Sequence, residues 1–164
     1  MKGIHQIGIF AGVVMIACSC TGCVKIESSS PEDGYNTDVA MSAVEYSIFL
    51  SKQISVLENV LMTRMSMAEM VVGSTYDNSV EIKNTEEAIS KVTAINNELF
   101  VTLPAEGLDT DCQNILNLSE QALDILIDYR DNLKNNDSEA LKISATEMKN
   151  CMLALSGEAN VYYQ

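Results

Sequence analysis

The sequence predicts an all-α protein, an antiparallel up-down-up-down four-helix bundle that follows a signal peptide and a short linker. Apolar residues recur at steps of three and four along four segments of the chain. No segment alternates with period two for long enough to be a strand, and Pro31 and Pro104 both lie outside the helical segments. Four amphipathic helices with short connections are typical of an up-down bundle.

The chain begins with a short apolar segment that has the properties of an export signal. Lys2 supplies a positive charge, and an uncharged, mostly apolar run follows from Ile7 to Ala17. This run has about 11 residues and is roughly 16 Å long as a helix, whereas the hydrocarbon core of a bilayer is about 30 Å thick. It is too short to span a bilayer comfortably, but its length suits the apolar core of an export signal.

Small residues and cysteines follow this run, in the order Met-Ile-Ala-Cys-Ser-Cys-Thr-Gly-Cys over positions 15–23. The pattern resembles the lipobox of bacterial lipoproteins, in which an aliphatic residue stands three positions, and a small residue one position, before the modified cysteine. Cys18 fits this pattern, with methionine in place of the usual leucine at the first position. Cys20 and Cys23 are the alternative lipidation sites.

The resemblance to lipoproteins implies a location. In that family the cysteine receives diacylglycerol and the signal peptide is cut off before it, which implies that residues 1–17 are removed. Residues 18–36 would then form a lipid-anchored flexible linker, and the turn-forming residues at 28–34 agree with this. The prediction is an extracytoplasmic protein anchored to the cell membrane. An uncleaved anchor or an ordinary secretory signal would also place the folded part outside the cytoplasm.

Composition limits the chemistry of the remaining domain, residues 37–164. The formal net charge of −13 repels nucleic acid and anionic lipid head groups, so we expect no nucleic-acid partner. The single histidine is His5, inside the signal segment. Without an imidazole the domain has no Ser-His-Asp triad, Cys-His nucleophile or His-ligated metal. We therefore predict a protein that is not an enzyme and needs no cofactor.

The first helix is predicted to begin at Asn36 or Thr37, either of which is a good N-cap, and to end at Val72 before a Gly-Ser-Thr sequence. Its apolar residues are spaced as one stripe on a helix. The members of this stripe are Val44, Ile48, Leu50, Ile54, Leu57, Leu61, Met65, Ala68 and Val72.

Local signals mark the ends of the other three helices. Asn84 and Glu87 have the spacing of a capping box, so the second helix is predicted to begin there or about one turn earlier, at Val80. It ends before the second proline, because a residue that precedes proline is disfavoured in a helix. The third helix opens at that proline or at Asp109, and the turn at 135–138 separates it from the fourth.

Cys112 and Cys151 lie on the apolar stripes of the third and fourth helices. If these helices fold back at about Asn136, the two cysteines are offset by about nine residues, or roughly 13 Å at helical rise. A disulfide needs Cα atoms within about 7 Å of each other. Free, buried thiols that pack as small apolar groups are therefore favoured, and a disulfide is the alternative.

Methionines at the end of the first helix form the candidate partner surface: Met62, Met65, Met67 and Met70. Thioethers also bind Cu(I), which is a soft ion. On a helix, however, Met62 and Met65 point within about 60° of each other, whereas Met67 points roughly 160° away from Met65. The four side chains do not converge on one ion, so an adaptable apolar surface for a partner helix or peptide is favoured over a metal site.

The predicted function is that of a non-catalytic binding or interaction module of the cell envelope, with an envelope protein or a peptide as partner. One alternative is a bundle that binds a small apolar ligand or a soft metal such as copper. A glycan hydrolase that uses carboxylates alone is less favoured, because the acidic residues are scattered and fit a solvated face. The stretch 104–155 is also similar in pattern to the C-terminal helical hairpin of small exported proteins of Gram-positive bacteria.

Overall fold

The computed structural model of the protein describes residues 41–72, 74 and 78–159, and the predicted signal peptide, linker and lipidated cysteine fall outside these residues. The described part contains four helices and no strand: α1 (Ala43–Val71), α2 (Ser79–Val101), α3 (Asp109–Asn135) and α4 (Ser138–Ala159). All four belong to one unit, Asp38–Gln164. The predicted all-α class is confirmed.

Side-chain hydrogen bonds show that neighbouring helices run in opposite directions. Near the start of α1, Gln53 donates to Glu98 near the end of α2, whereas Arg64, further along α1, donates to Glu81 at the start of α2. The predicted antiparallel four-helix bundle is therefore confirmed. Corresponding pairs join α3 to α4, through Asn132 with Ser144 and Asn114 with Glu158, and α4 to α1, through Ser156 with Glu58.

The seam between α1 and α2 is looser than the seams between the other neighbouring helices. α1 packs mainly against α4, and α3 packs against both α2 and α4. Long polar side chains bridge the α1–α2 seam, namely those of Gln53 with Glu98 and of Arg64 with Glu81. Long side chains hold two helix backbones further apart than small apolar ones do.

The buried stripe of α1 differs from the stripe that the sequence predicted. Val44 and Ile48, which were assigned to the core, are 70% and 65% exposed, and Met65 is only half-buried. α1 is apolar on several sides, so its pattern of apolar residues alone does not define one face. Two polar residues occupy core positions instead, within the buried set Tyr46, Leu50, Gln53, Ile54, Leu57, Leu61, Arg64, Ala68 and Val71.

The start of α1 lies several residues beyond the predicted start at Asn36 or Thr37. Ser42 is the N-cap, and its hydroxyl accepts from the backbone N–H of Glu45 at 3.3 Å. The Glu45 carboxylate accepts in turn from the backbone N–H of Ser42 at 2.9 Å, which completes a capping box. This reciprocal pair satisfies two otherwise unpaired N–H groups and fixes Ala43 as the first residue of the helix.

The other boundaries follow local signals with one exception. α3 begins at Asp109, the second of its two predicted starts, and α3 gives way to α4 within the predicted turn at 135–138. α2 begins at Ser79, so the alternative start near Val80 holds and the start at the Asn84 capping box is wrong. Residues 84–87 lie inside α2 because the preceding turn packs in the core, where Glu81 is fully buried.

Candidate functional site

A cluster of polar side chains is buried where α1, α2 and α3 meet. Arg64 of α1 donates from Nη1 to both carboxylate oxygens of Glu81 on α2, at 2.7 Å each. The phenol of Tyr129 on α3 donates to Glu81 Oε1 at 3.2 Å. Glu81 and Tyr129 are fully buried, and Arg64 is 9% exposed. We call this arrangement the Arg64–Glu81–Tyr129 cluster, and it joins three helices at one point.

Burial controls the protonation of this cluster. It raises the pKa of Glu81 above the ordinary value, while the positive charge of Arg64 and the hydrogen bond from Tyr129 act in the opposite direction. Burial and the neighbouring negative charge of Glu81 raise the pKa of the Tyr129 phenol well above its usual range. Tyr129 therefore keeps its proton and donates it in a hydrogen bond, as suits a structural role rather than acid–base catalysis.

A groove with a volume of about 490 Å³ runs along the looser seam and includes Arg64 in its lining; we call it the α1–α2 groove. Val56, Val60 and Ala88 supply apolar surface to it. The remaining lining side chains are polar, namely Asn59, Thr63, Asn84, Glu87 and Lys91. The groove therefore combines apolar surface with hydrogen-bond donors, which is the composition of many small-ligand sites. None of these residues was assigned to a binding site from the sequence.

The four methionines of the candidate partner surface occupy separate places. Met65 is half-buried and lines a groove of about 420 Å³ between α1 and α4. Met67 and Met70 line a different, smaller groove of about 190 Å³. Met62 and Met70 are exposed. The structure thus brings Met67 and Met70 together and separates both from Met65.

Large apolar side chains are exposed where α2 ends. Phe100, Val101 and Leu103 are 77%, 73% and 80% exposed, and we call these three residues the Phe100 edge. They are consecutive or nearly so in the sequence, so three exposed apolar side chains occur together at this end of α2. None of the three was assigned to a contact surface from the sequence. Clustered exposed apolar residues mark contact surfaces more often than scattered ones do.

Carboxylates border the Phe100 edge. The Cys112 thiol of α3 contacts the Leu99 carbonyl of α2 at 3.9 Å, so the first turn of α3 lies beside the end of α2. That turn contains Asp109 and Asp111, and Glu106 lies in the connection between the two helices. The apolar edge therefore has an acidic border on the side of α3.

The two residues wrongly assigned to the core of α1 line another surface groove. Val44 and Ile48 lie in a groove of about 720 Å³ that extends to residues 106–108 of the connection between α2 and α3. Val44 and Ile48 are thus exposed at the same end of the bundle as the Phe100 edge. This end is also the one at which the preceding residues of the chain enter α1.

Cys112 and Cys151 are free and buried, so the favoured prediction for these two residues agrees with the structure. Each thiol contacts a different backbone carbonyl, that of Leu99 for Cys112 and that of Leu118 for Cys151. Burial raises the pKa of the Cys151 thiol to about 11. A buried thiol with a raised pKa is a poor nucleophile at neutral pH and serves as an apolar packing group.

Comparisons of the chain with protein-family models, with curated proteins and with solved structures gave no match. Among the described residues, acidic and cysteine side chains form no group of three or more that could hold a metal ion. The four helices also include none that is long and apolar enough to cross a membrane. The described residues form a helical bundle with surface grooves and exposed apolar side chains.

Proposed function

We propose that the protein is a lipid-anchored, extracytoplasmic lipoprotein that acts as a non-catalytic interaction module of the cell envelope. In this proposal Cys18 carries the lipid and residues 18–36 tether the bundle. The observation that carries the interaction role is the Phe100 edge, where three large apolar side chains are each more than 70% exposed. Exposing them to water is unfavourable, and a partner that covers them recovers that free energy.

The acidic border of the Phe100 edge defines the chemistry of the partner. Asp109 and Asp111 belong to the first turn of α3, which lies beside the end of α2, and Glu106 belongs to the connection between the two helices. The whole chain has a formal net charge of −13. Complementary charges speed association and select among partners, so we propose a partner protein that presents apolar residues surrounded by Lys or Arg. The methionine pair Met67 and Met70 is a second candidate contact on the same partner or on another.

Two alternatives, a copper site and a carboxylate-only hydrolase, have less support. A copper site would need thioethers that meet at one ion, and Met65 lies in a different groove from Met67 and Met70. A carboxylate-only hydrolase would need two carboxyl groups free to exchange protons and contact substrate in one cleft. The buried carboxylate of Glu81 is already engaged by Arg64 and Tyr129. An interaction module needs only exposed surface, which the described residues provide.

Cross-linking in native membranes, followed by affinity recovery of the tagged protein, tests the proposed surface. We expect the double variant Phe100→Ser, Leu103→Ser to recover at least about tenfold less of the cross-linked partner, because two exposed apolar anchors are lost. Recovery should also fall as salt is raised, because salt screens the acidic border. The partner is then identified by mass spectrometry.

A matched control variant is available on α4. Ile143 and Leu153 are 56% and 63% exposed, so Ile143→Ser with Leu153→Ser removes a similar amount of exposed apolar surface elsewhere on the bundle. This control should recover the partner as the unmodified protein does. Equal recovery by the Phe100 variant, or equal losses in both variants, would contradict the assignment of the contact to the Phe100 edge.

A further inference from the structure

The α1–α2 groove contains an arginine whose hydrogen-bonding capacity is only partly used. A guanidinium group has five N–H donors in a planar fork. Within the described part of the chain, the hydrogen bonds of Arg64 all come from Nη1 and end on Glu81. The edge of the fork formed by Nε and Nη2 has no protein partner there. Two parallel N–H groups on one edge match the two oxygens of a carboxylate.

This unused edge is accessible from the groove. Arg64 lines the groove, and its side chain keeps 11% of its surface exposed. Among the described residues, no Arg64 nitrogen is both sealed from solvent and without a partner. The pairing with Glu81 holds the guanidinium in place, so a ligand would meet a donor edge whose orientation is already fixed. Such preorganisation lowers the entropic cost of binding.

Lys91 provides a second cation in the same groove. It is exposed, lines the groove together with Arg64, and makes no ion pair with any described residue. The side-chain amides of Asn59 and Asn84 also line the groove, and that of Asn84 hydrogen-bonds to Glu81. Lys52, Lys83 and Lys149 also make no ion pair with a described residue, so what distinguishes Lys91 is its place in the same groove as the buried arginine.

We infer that the α1–α2 groove binds a small monocarboxylate with an apolar body. Its carboxylate lies against the Nε–Nη2 edge of Arg64 and near Lys91, and its apolar body covers Val56, Val60 and Ala88. A volume of about 490 Å³ suits a ligand of this kind, since small-molecule pockets measure about 300–1,000 Å³. This site is separate from the Phe100 edge and does not depend on the proposed interaction role.

The local charge balance disfavours a second negative charge on the ligand. Arg64 and Lys91 contribute two positive charges at the groove, and Glu81 and Glu87 contribute two negative ones. A single carboxylate therefore adds one charge to a neutral set, whereas a dianionic phosphate adds two within a strongly acidic protein. Repulsion disfavours the dianion.

Titration with 4-methylpentanoate and with its neutral amide tests the inference on the full chain. The two probes share one apolar body and differ in the charge of the head group. We expect saturable shifts of the side-chain amide NMR signals of Asn59 and Asn84 with the carboxylate, and at least about tenfold weaker binding of the amide, because charge-assisted hydrogen bonds are lost. Inorganic phosphate is the third probe and should bind more weakly than the carboxylate.

Three variants assign the binding to these side chains. Arg64→Lys keeps a positive charge beside Glu81 but removes the planar fork, and it should weaken carboxylate binding by about tenfold or more. Lys91→Gln should weaken carboxylate binding about threefold to tenfold. Because Lys91 is exposed, this variant tests the site even if Arg64→Lys does not fold. Lys149→Gln is the matched control, because Lys149 lines the separate groove between α1 and α4, and it should leave binding unchanged.

Several results would overturn the inference. Equal binding of the carboxylate and the amide would show that Arg64 does not distinguish the charged head group from the neutral one. Tighter binding of phosphate would contradict the assignment of a monocarboxylate. Carboxylate binding that Lys91→Gln and Lys149→Gln affect equally would place it outside the groove. Absence of binding at millimolar concentrations of the carboxylate would remove the site altogether.

Discussion

Replacing Arg64 by methionine is expected to destabilise the bundle by about 3–5 kcal/mol, because the substitution leaves the buried carboxylate of Glu81 without its counter-charge. Glu81 is fully buried, and Arg64 Nη1 contacts both of its oxygens at 2.7 Å. Methionine fills a similar volume, so the loss reports the unpaired charge rather than a cavity. The measurement is urea unfolding of the purified protein, followed by helical circular dichroism.

The same substitution has a defined pH dependence. Burial already raises the pKa of Glu81 from its ordinary value of 4.5, and removal of the Arg64 charge raises it further. The folded variant then keeps a proton that the unfolded chain releases, so stability is lost as the pH rises from 4.5 through the folded-state pKa. The deficit of Arg64→Met relative to the unmodified protein should therefore be small near pH 4 and largest near pH 8.

A double variant supplies the control for this prediction. Arg64→Met combined with Glu81→Leu removes both charges and should recover most of the lost stability, because a buried ion pair is often replaceable by apolar residues of similar volume. Tyr129 then loses its acceptor, which should leave a remaining deficit of about 1 kcal/mol. A double variant as unstable as Arg64→Met, or a deficit that does not change with pH, would contradict the role assigned to the cluster.

Replacing Leu155 by alanine is expected to cost about 2–5 kcal/mol, whereas the same change at Leu153 should stay within about 0.5 kcal/mol. Leu155 is fully buried, and Leu153, two residues earlier on α4, is 63% exposed. The chemical change is identical in the two variants, so the difference reports only which face of α4 is buried. Urea midpoints measured at unchanged slopes give both values.

This comparison tests the packing of α4 within the bundle. A deleted side chain leaves a cavity only where surrounding atoms enclose it, and Leu155 lies in the contiguous apolar core. Equal losses at the two positions would mean that α4 is rotated relative to the arrangement described here. A larger loss at Leu153 would reverse the buried and exposed faces of the helix.

Some helix ends could be predicted from sequence because a local signal determines them, although the Ser42–Glu45 capping box at the start of α1 was missed. The α3–α4 turn is an example: Asn136 adopts a left-handed conformation at φ 53°, and the Asp137 carboxylate accepts the backbone N–H groups of Glu139 and Ala140. Asparagine tolerates that conformation and aspartate is a good cap, so residue types alone indicate the turn. The start of α2 was ambiguous because Asn84 and Glu87 imitate a cap inside the helix.

The register of α1 could not be predicted from apolar residues alone, because apolar residues occur on several of its sides. Gln53 and Arg64 complete the spacing of three and four that runs through the core from Tyr46 to Val71. A rule that treats polar residues as exposed breaks this series. Arg64 is buried only because Glu81 lies beside it, 17 residues away in the sequence and on another helix. The sequence shows this regular spacing, but only the pairing of Arg64 with Glu81 in the fold explains why an arginine occupies one of its buried positions.

The candidate surfaces likewise divide into those that a local stretch of sequence shows and those that only the fold brings together. The methionine run was visible in the sequence because it is local, although its members lie in two separate grooves. The α1–α2 groove was not visible, since its cations come from different helices that only the fold brings together. The Phe100 edge has a local signal, three large apolar residues just before and after Thr102, yet only burial separates an exposed apolar run from a core one.

Intact-mass analysis of the protein extracted from its native membrane tests the central claim, that a lipid on a cysteine near the start of the chain holds this bundle outside the cytoplasm. We expect a chain that lacks residues 1–17 and carries diacylglycerol on Cys18, with fragment masses that place the lipid there rather than on Cys20 or Cys23. A chain that retains its first 17 residues and carries no lipid would contradict it.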